Sequence, residues 1–129
     1  MTILIEDINP RHLVSANVKL HHHVAGTLRR HWRKTAKNAA LAAYGTADEG
    51  QAWHDRARII LTFRFPDRRR HDTPNLYNYV GKPIVDGLVN ARILPDDDDL
   101  HLIGPDMRRD PDRGPHRITV TILDWEEGT

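Results

Sequence analysis

Carboxylate side chains lie at both ends of one mostly apolar segment, residues 76–94. Asp72 precedes the segment and closely follows the basic run Arg68-Arg69-Arg70, and four consecutive aspartates, Asp96 to Asp99, come after it. Hard carboxylate oxygens suit Mg²⁺ or Mn²⁺ better than Zn²⁺. A metal held there would polarise a phosphodiester and generate a hydroxide nucleophile. The neighbouring arginines would offset the repulsion between these carboxylates and a nucleic acid.

A simpler interpretation of the same residues is a capped helix between two polar loops. An aspartate before a helix is most often an N-cap, which contributes about 1 kcal/mol, and aspartates in loops are usually solvated. One straight helix would separate Asp72 from the later aspartates by about 1.5 Å per residue. The two sets converge only if residues 91–95 fold back toward Asp72, which a break at Gly81 makes easier. The spacing alone leaves both interpretations open.

Composition places few limits on the partner. The 129 residues predict one domain with a single modest core. Lys and Arg number 19 against 18 Asp and Glu, so the net charge of +1 allows a nucleic-acid partner without requiring one. The absence of cysteine excludes disulfides and thiolate metal sites. No signal-peptide pattern and no apolar run of about 20 residues occurs, so we expect no membrane span and a cytoplasmic location.

Alternating and helical patterns give the expected elements. A first strand is predicted within Met1–Ile8 and a second over Arg58–Phe65, because apolar residues alternate in both. Two further strands, 100–107 and 117–123, flank the turn-rich stretch 110–115 and predict a hairpin. The apolar residues on one face of each strand in the first pair are Ile3 and Ile5, then Ile59, Leu61, Phe63 and Phe65.

Two helices are predicted between these strands. The first spans residues 25–43, with its end at Gly45, and the second spans 74–91. Gly81-Lys82-Pro83 interrupts the second, either as a break between two helices or as a kink. The element order β-α-β-α-β-β predicts a single α+β domain with a mixed sheet of about four strands and helices packed on it. The expected buried stripes are Leu28, Trp32, Ala36, Ala39 and Ala43, then Leu76, Val80, Ile84 and Leu88.

The first helix also carries a basic face. Arg30, Arg33, Lys34 and Lys37 recur at i, i+3, i+4 and i+7. This face either contacts phosphates or is simply a solvated surface. The consecutive histidines His21 to His23, which precede the predicted helix, either bind a transition metal or form a polar loop near phosphates.

Several short motifs follow one another in a fixed order: Phe65-Pro66-Asp67-Arg68-Arg69-Arg70-His71-Asp72, Asn75-Leu76, Lys82, Asp86-Gly87-Leu88 and Leu94-Pro95-Asp96-Asp97. This ordered set resembles the RusA family of Holliday junction resolvases. That family typically has a basic tract before Asp-x-Asp-Asn-Leu, a lysine four residues before Asp-x-Leu, and a later Asp-Asp before a strand. The loop Ser15-Ala16-Asn17 also resembles the family's N-terminal pattern, so the resemblance covers most of the chain.

The resemblance implies a RusA-like nuclease domain over residues 1–129 that acts as a homodimeric, Mg²⁺-dependent endonuclease, with Mn²⁺ as a possible substitute. Such an enzyme nicks four-way DNA junctions symmetrically, and two strands to cut imply two subunits with one acidic site each. Asp72 and Asp97 match the catalytic aspartates, and Lys82 matches the helix lysine. The expected metal ligands are Asp72, Asp97, Asp96 and Asn75. The expected DNA-binding residues are Arg68, Arg69, Arg70, Asn17, Lys19, Arg30 and Arg33.

Two departures from the family pattern affect this prediction. Pro74 stands where the motif has its second aspartate, and about four extra residues, Tyr77 to Val80, separate Asn75 from Lys82. Four residues are close to one helical turn, so the helix face can be kept. For the missing ligand, three alternatives remain: Asp98 or Asp99 replaces it, Asn75 ligates as a neutral oxygen, or the enzyme is weak or inactive. A catalytically weak or inactive junction-binding module is therefore the alternative function, followed by an interaction protein whose acidic residues are only surface loops.

Overall fold

The structure, a computed structural model, describes residues 1–125 of the 129. The described chain forms four strands and two α-helices. Its elements are β1 (Thr2–Ile5), α1 (His22–Tyr44), β2 (Ala57–Arg64), α2 (Lys82–Asn90), β3 (Leu102–Arg109) and β4 (Arg117–Asp124). Short 3₁₀ turns lie at Pro10–His12 and Thr73–Leu76, and a π turn lies at Tyr77–Gly81. Within residues 1–125, no helix has the length and apolarity needed to cross a membrane.

The four strands form one mixed sheet in the order β1-β4-β2-β3. β4 pairs antiparallel with β1 on one side and with β2 on the other, whereas β2 and β3 are parallel. The predicted α+β class and the mixed sheet of four strands are therefore confirmed.

The predicted hairpin of the last two strands is wrong, because β2 lies between them. Their connection passes over the end of β2, where the Asp110 N–H donates to the Phe63 carbonyl (2.8 Å) and the Gly114 N–H donates to the Phe65 carbonyl (3.1 Å). Alternating residues and turn residues predict two strands and a reversal of direction. They carry no information about a third strand inserted between the two.

The core lies between the sheet and the helices. The predicted inward residues of β1 and β2 are buried, as are all four predicted residues of the second helical stripe, Leu76, Val80, Ile84 and Leu88. Trp32 of α1 is only 1% exposed, and its indole N–H donates to the His12 carbonyl at 2.9 Å. The other inward side chains of the sheet are Ile118, Val120 and Ile122 from β4.

Helix α1 begins three residues before the predicted position 25. His21 is its N-cap and accepts the His23 N–H through Nδ1 at 3.3 Å. His22 and His23, which were expected in a loop, therefore belong to the first turn of the helix. The predicted end is confirmed: Gly45 has φ +80° and donates its N–H to the Leu41 carbonyl at 2.8 Å. Near this end the buried stripe runs through Ala40 rather than Ala43, which is exposed.

The interruption predicted at Gly81-Lys82-Pro83 is a change of helical hydrogen bonding. The four residues that are extra relative to the family motif, Tyr77 to Val80, lie in the π turn, where the Lys82 N–H donates to the Tyr77 carbonyl. Pro83 then stands in the first turn of α2, where its missing N–H costs no helical bond. The predicted start of a second helix near Pro83 therefore agrees with the structure.

Helices α1 and α2 approach closely at Gly87. A Cβ atom there would lie 2.3 Å from the Arg33 carbonyl oxygen and 2.9 Å from the Ala36 Cβ. Only a residue without a side chain allows this approach. It places the Arg33 side of α1 directly beside α2, and this contact positions the candidate site.

Candidate active site

Lys82, at the start of α2, joins two carboxylates. Its Nζ donates to Asp86 Oδ1 at 2.8 Å and also to Asp97 Oδ2. Lys82 and Asp86 are four residues apart and share one face of the helix. Asp97 comes from the loop between α2 and β3, where its N–H donates to Asp96 Oδ1 at 2.7 Å. The structure therefore brings three predicted site residues, Lys82, Asp96 and Asp97, into one cluster.

The cluster changes the protonation equilibria of its members. The hydrogen bond from Lys82 is the main reason that the pKa of Asp97 is lowered. Partial burial lowers the pKa of Lys82, but the hydrogen bonds with Asp86 and Asp97 outweigh this effect, and the net pKa is raised. Asp97 is therefore ionised and Lys82 protonated across the neutral pH range.

Lys82→Met is expected to lower the stability of the fold by an amount that depends on pH. The lowered pKa of Asp97 contributes stability above the unfolded value of about 3.9, and this is lost as the pH falls through the folded pKa. The raised pKa of Lys82 contributes stability below its unfolded value of about 10.4, and this is lost as the pH rises through the folded pKa. Urea unfolding, measured by circular dichroism, is expected to give a constant difference between wild type and variant from about pH 5 to about pH 9, narrowing below about pH 4. If the difference in unfolding free energy between wild type and Lys82→Met persists unchanged at pH 2, the Lys82–Asp97 ion pair is contradicted.

An acidic cleft and a basic cleft lie side by side at this cluster. The acidic cleft, about 260 Å³, is lined by Asp86, Asp96 and Asp97 together with Arg33. The basic cleft, about 320 Å³, is lined by the predicted basic face of α1. Arg33 and Asn90 line both clefts. The basic face therefore borders the carboxylates, which favours a role in phosphate binding.

The carboxylates suit a small hard cation. Mg²⁺ is usually held by one or two carboxylates and completes its shell with waters and substrate phosphates. Asp96 and Asp97 are adjacent in the acidic cleft and offer such a pair. No three His, Asp or Glu side chains within residues 1–125 are grouped so that they could hold one ion. The residues present therefore fit a site of two carboxylates rather than a closed protein cage.

Asp72 and Asn75 form a separate pair. Asp72 is exposed at the N-cap of the 3₁₀ turn, and its Oδ2 accepts the Asn75 side-chain N–H at 2.8 Å. Pro74 stands in the first turn of that helix, where proline is favourable. No hydrogen bond or ion pair recorded for residues 1–125 links this pair to Lys82 or Asp97.

A shared metal site for Asp72 and the later aspartates requires residues 91–95 to fold back toward Asp72. The chain does fold back after α2, but it runs along α2. Arg92 and Ile93 accept backbone hydrogen bonds from Trp53 (2.9 Å) and His54 (3.0 Å), and Ile93 and Leu94 are buried. The following loop then returns along α2 to Lys82.

The arginine tract directly follows β2. Arg68, Arg69 and Arg70 are exposed after the last residue of this strand. Of the predicted DNA-binding residues, Arg33 lines the acidic cleft and Arg30 lines the basic cleft beside it.

Arg109, which the sequence did not identify, holds the arginine tract in place. Its guanidinium donates to the carbonyls of Arg69 (2.6 Å) and Asp67 (3.0 Å) and lies 5.3 Å from the Phe65 ring centre. His71 stacks on Phe65 at 3.8 Å and bonds to Asp67 at 2.8 Å, which lowers the pKa of Asp67. The backbone of the tract is thus fixed while its side chains extend into solvent.

The N-terminal loop contacts the motif through its backbone. The Ala16 N–H donates to the Asn75 carbonyl at 2.8 Å, which joins the Ser15-Ala16-Asn17 loop to the 3₁₀ turn. Asn17 and Lys19 are both exposed on this loop. The family-like loop and the family-like motif therefore meet in space, next to Asp72.

Asp86 is the site residue that sequence reasoning did not assign a role. A signal was present, because a lysine and an aspartate four residues apart on a helix commonly pair. The return of Asp97 to the same lysine depends on the path of the loop after α2, which periodicity does not determine.

Comparison with known proteins assigns no family. A scan against protein-family models gives no match, and a search of curated proteins gives no significant match. The resemblance to RusA rests on the ordered motifs of the sequence alone.

Proposed function

We propose that this protein is a metal-dependent endonuclease that nicks branched DNA, four-way junctions in particular, by phosphodiester hydrolysis. The observation that supports this most directly is the cluster of Lys82, Asp86 and Asp97 beside Arg33. It combines carboxylates for a hard cation with two cationic side chains for a phosphate. The same lysine and aspartate carry the resemblance to RusA.

Each residue of the cluster has a distinct role in this proposal. Asp97 and Asp96 would hold Mg²⁺ or Mn²⁺, which when bound polarises the phosphodiester and provides a hydroxide nucleophile. Arg33 binds the phosphate from the adjoining basic cleft. Lys82, kept protonated by its two carboxylates, stabilises the negative charge that develops on the phosphate. Asp86 positions Lys82.

Asp72 and Asn75 enter the proposal through the family resemblance alone, since in the structure they bond to each other. Pro74 stands at the position of the second motif aspartate, and Asp96, already one of the expected ligands, forms the proposed carboxylate pair with Asp97. The exposed residues Arg68 to Arg70, Asn17 and Lys19 contact the DNA backbone in this proposal. These phosphate contacts weaken steeply with salt.

The proposed assembly is a homodimer, because a junction has two strands to cut and each subunit contributes one acidic cluster. The proposed partner is branched DNA, and the proposed location is the cytoplasm, with no membrane contact.

The test is a synthetic four-way junction incubated with Mg²⁺ or Mn²⁺ and with saturating wild type, Asp72→Asn or Asp97→Asn. Paired nicks are expected with wild type and are expected to be lost in both variants, while junction binding in EDTA persists. Asp48→Asn, in the exposed loop after α1, is the matched control and is expected to nick normally. Equal nicking by all four proteins would exclude these aspartates from the reaction.

The second candidate is a junction-binding module without catalysis. Two observations favour it: Pro74 replaces an aspartate of the family motif, and Lys82 already neutralises two carboxylates. The same assay separates the candidates, since the module binds junctions tightly and never nicks them. Failure to bind at moderate salt contradicts both.

A further inference from the structure

A groove with apolar walls lies on the opposite side of the basic face from the acidic cleft. It runs between the segment before α1 and the first turns of that helix, with a volume of about 550 Å³. This is within the range of small-molecule sites, about 300–1,000 Å³. Its apolar lining consists of Val14, Leu20, Val24 and Leu28. No role in the proposed cleavage reaction uses this groove.

Three histidine rings border the groove: His12, His23 and His31. The rings of His12 and His31 lie 4.2 Å apart, centre to centre, at 49°. The bond from the Trp32 indole to the His12 carbonyl fixes the backbone beneath this pair. Burial, followed by the proximity of His12, lowers the pKa of His31, so its ring is neutral near pH 7. Partly exposed aromatic rings above apolar walls are suited to stacking on a flat ligand.

The charge around the groove favours an anionic ligand. Arg11 lines it, and none of its lining residues in the described part of the chain, residues 1–125, carries a carboxylate. Thr27, on its floor, accepts a hydrogen bond from Arg30 at 3.1 Å, and Arg30 lines the basic cleft. The groove, the basic face and the acidic cleft therefore follow one another around α1.

The groove and the basic face are neighbours on α1. From Thr27 to Arg33 the helix rises about 9 Å at about 1.5 Å per residue. A strand whose phosphates lie on Arg30 and Arg33 therefore passes Thr27, a residue that lines the groove and bonds to Arg30.

We infer that the groove takes one unpaired nucleobase of the bound DNA strand, stacked on His12 and His31, close to the phosphate that is cut. This inference rests on the proposed function and specifies its substrate: DNA with an unpaired or openable base near the branch point. Stacking on aromatic rings tolerates every base, because each base has a π-face. The groove therefore recognises an unstacked base rather than a sequence.

The test measures fluorescence anisotropy with two labelled branched DNAs, one carrying a single unpaired nucleotide at the branch point and the other an abasic residue there. EDTA is present, which prevents cleavage and removes any metal bound by histidine. Wild type is expected to bind the DNA with the base about tenfold more tightly. His12→Ala/His31→Ala is expected to bind both DNAs with the lower affinity.

Two matched controls complete the test. His22→Ala removes an exposed histidine that does not line the groove and is expected to behave as wild type. Lys34→Ala, in the basic face, is expected to weaken binding of both DNAs equally and to reduce the salt dependence by about one phosphate contact.

The outcomes distinguish the inference from the proposed function. Base capture is overturned if wild type binds both DNAs with equal affinity. It is also overturned if the double histidine variant binds both DNAs more weakly by the same factor. Either result holds even if wild type nicks junctions. A base-dependent difference without nicking in Mg²⁺ leaves the groove assignment standing and contradicts the endonuclease. No binding of either DNA overturns both.

Discussion

Replacing Lys82 with methionine is expected to slow junction nicking by about 100- to 1,000-fold, the usual effect of removing one preorganised group that stabilises developing charge. Methionine keeps the length and the apolar stem of lysine and removes only the ammonium that bonds to Asp86 and Asp97. Affinity for the junction is expected to change little, because most of the proposed phosphate contacts lie on the basic face of α1 and on the arginine tract. Single-turnover nicking at saturating protein measures this effect without a contribution from binding.

Lys34→Met is the matched control for Lys82→Met. Lys34 lines the basic cleft but not the acidic one. The Lys34→Met variant is expected to show the reverse behaviour, with weaker junction binding and an unchanged nicking rate at saturating protein. If Lys82→Met nicks at the wild-type rate once the junction is saturated, Lys82 has no part in the chemistry, and its two hydrogen bonds are purely structural.

Gly87→Ala is expected to destabilise the protein by about 3 kcal/mol, at the upper end of the usual cost of overpacking. The new Cβ would lie 2.3 Å from the Arg33 carbonyl and 3.0 Å from the Lys37 amide nitrogen. Both are backbone atoms of α1, so no side-chain rotation relieves the contact and the two helices must separate. Urea unfolding, followed by circular dichroism, gives the free energy of unfolding.

Gly26→Ala tests the same substitution in an open position. A Cβ at Gly26 meets only the Arg30 guanidinium, at 3.5 Å, which is an ordinary contact. Alanine there is expected to stabilise the protein by about 0.5–1 kcal/mol, because a helix favours alanine over glycine. If Gly87→Ala and Gly26→Ala both raise or both lower the free energy of unfolding, the close approach of α1 and α2 is contradicted.

Local patterns in the sequence were sufficient to predict much of the fold. Ile59, Leu61 and Phe63 alternate along β2, and Val80, Ile84 and Leu88 recur at helical spacing, and all six are buried. These patterns are informative because each element has one face that packs against the core. The start of α1 was missed because His21 is an unusual N-cap compared with Ser, Thr, Asp or Asn.

The position of β4 could not be predicted in this way. Its alternating residues fit any neighbour with a matching apolar face, and β1 and β2 both provide one. Pairing between strands distant in sequence depends on the packing of the whole domain. The turn residues between β3 and β4 favoured a hairpin, but the connection is long enough to pass over the end of β2.

The sequence predicts some members of the candidate site but not the path of the loop that brings them together. The family-like order pointed to Lys82 and Asp97, which the structure joins directly. The expected convergence of Asp72 and Asp97 depended on the path of the chain between them. Because the loop after α2 returns to Lys82, Asp97 accepts a hydrogen bond from the same ammonium as Asp86, whose pairing with Lys82 the four-residue spacing indicates.

The most direct test of the endonuclease proposal is the rate of paired nicking of a four-way junction by wild type as Mg²⁺ is titrated against EDTA. A linear duplex of the same sequence serves as the control substrate. The predicted result is nicking of two opposite strands of the junction, dependent on Mg²⁺ or Mn²⁺ and absent on the duplex. A junction that is bound to saturation and stays intact at every concentration of either metal would contradict the proposal.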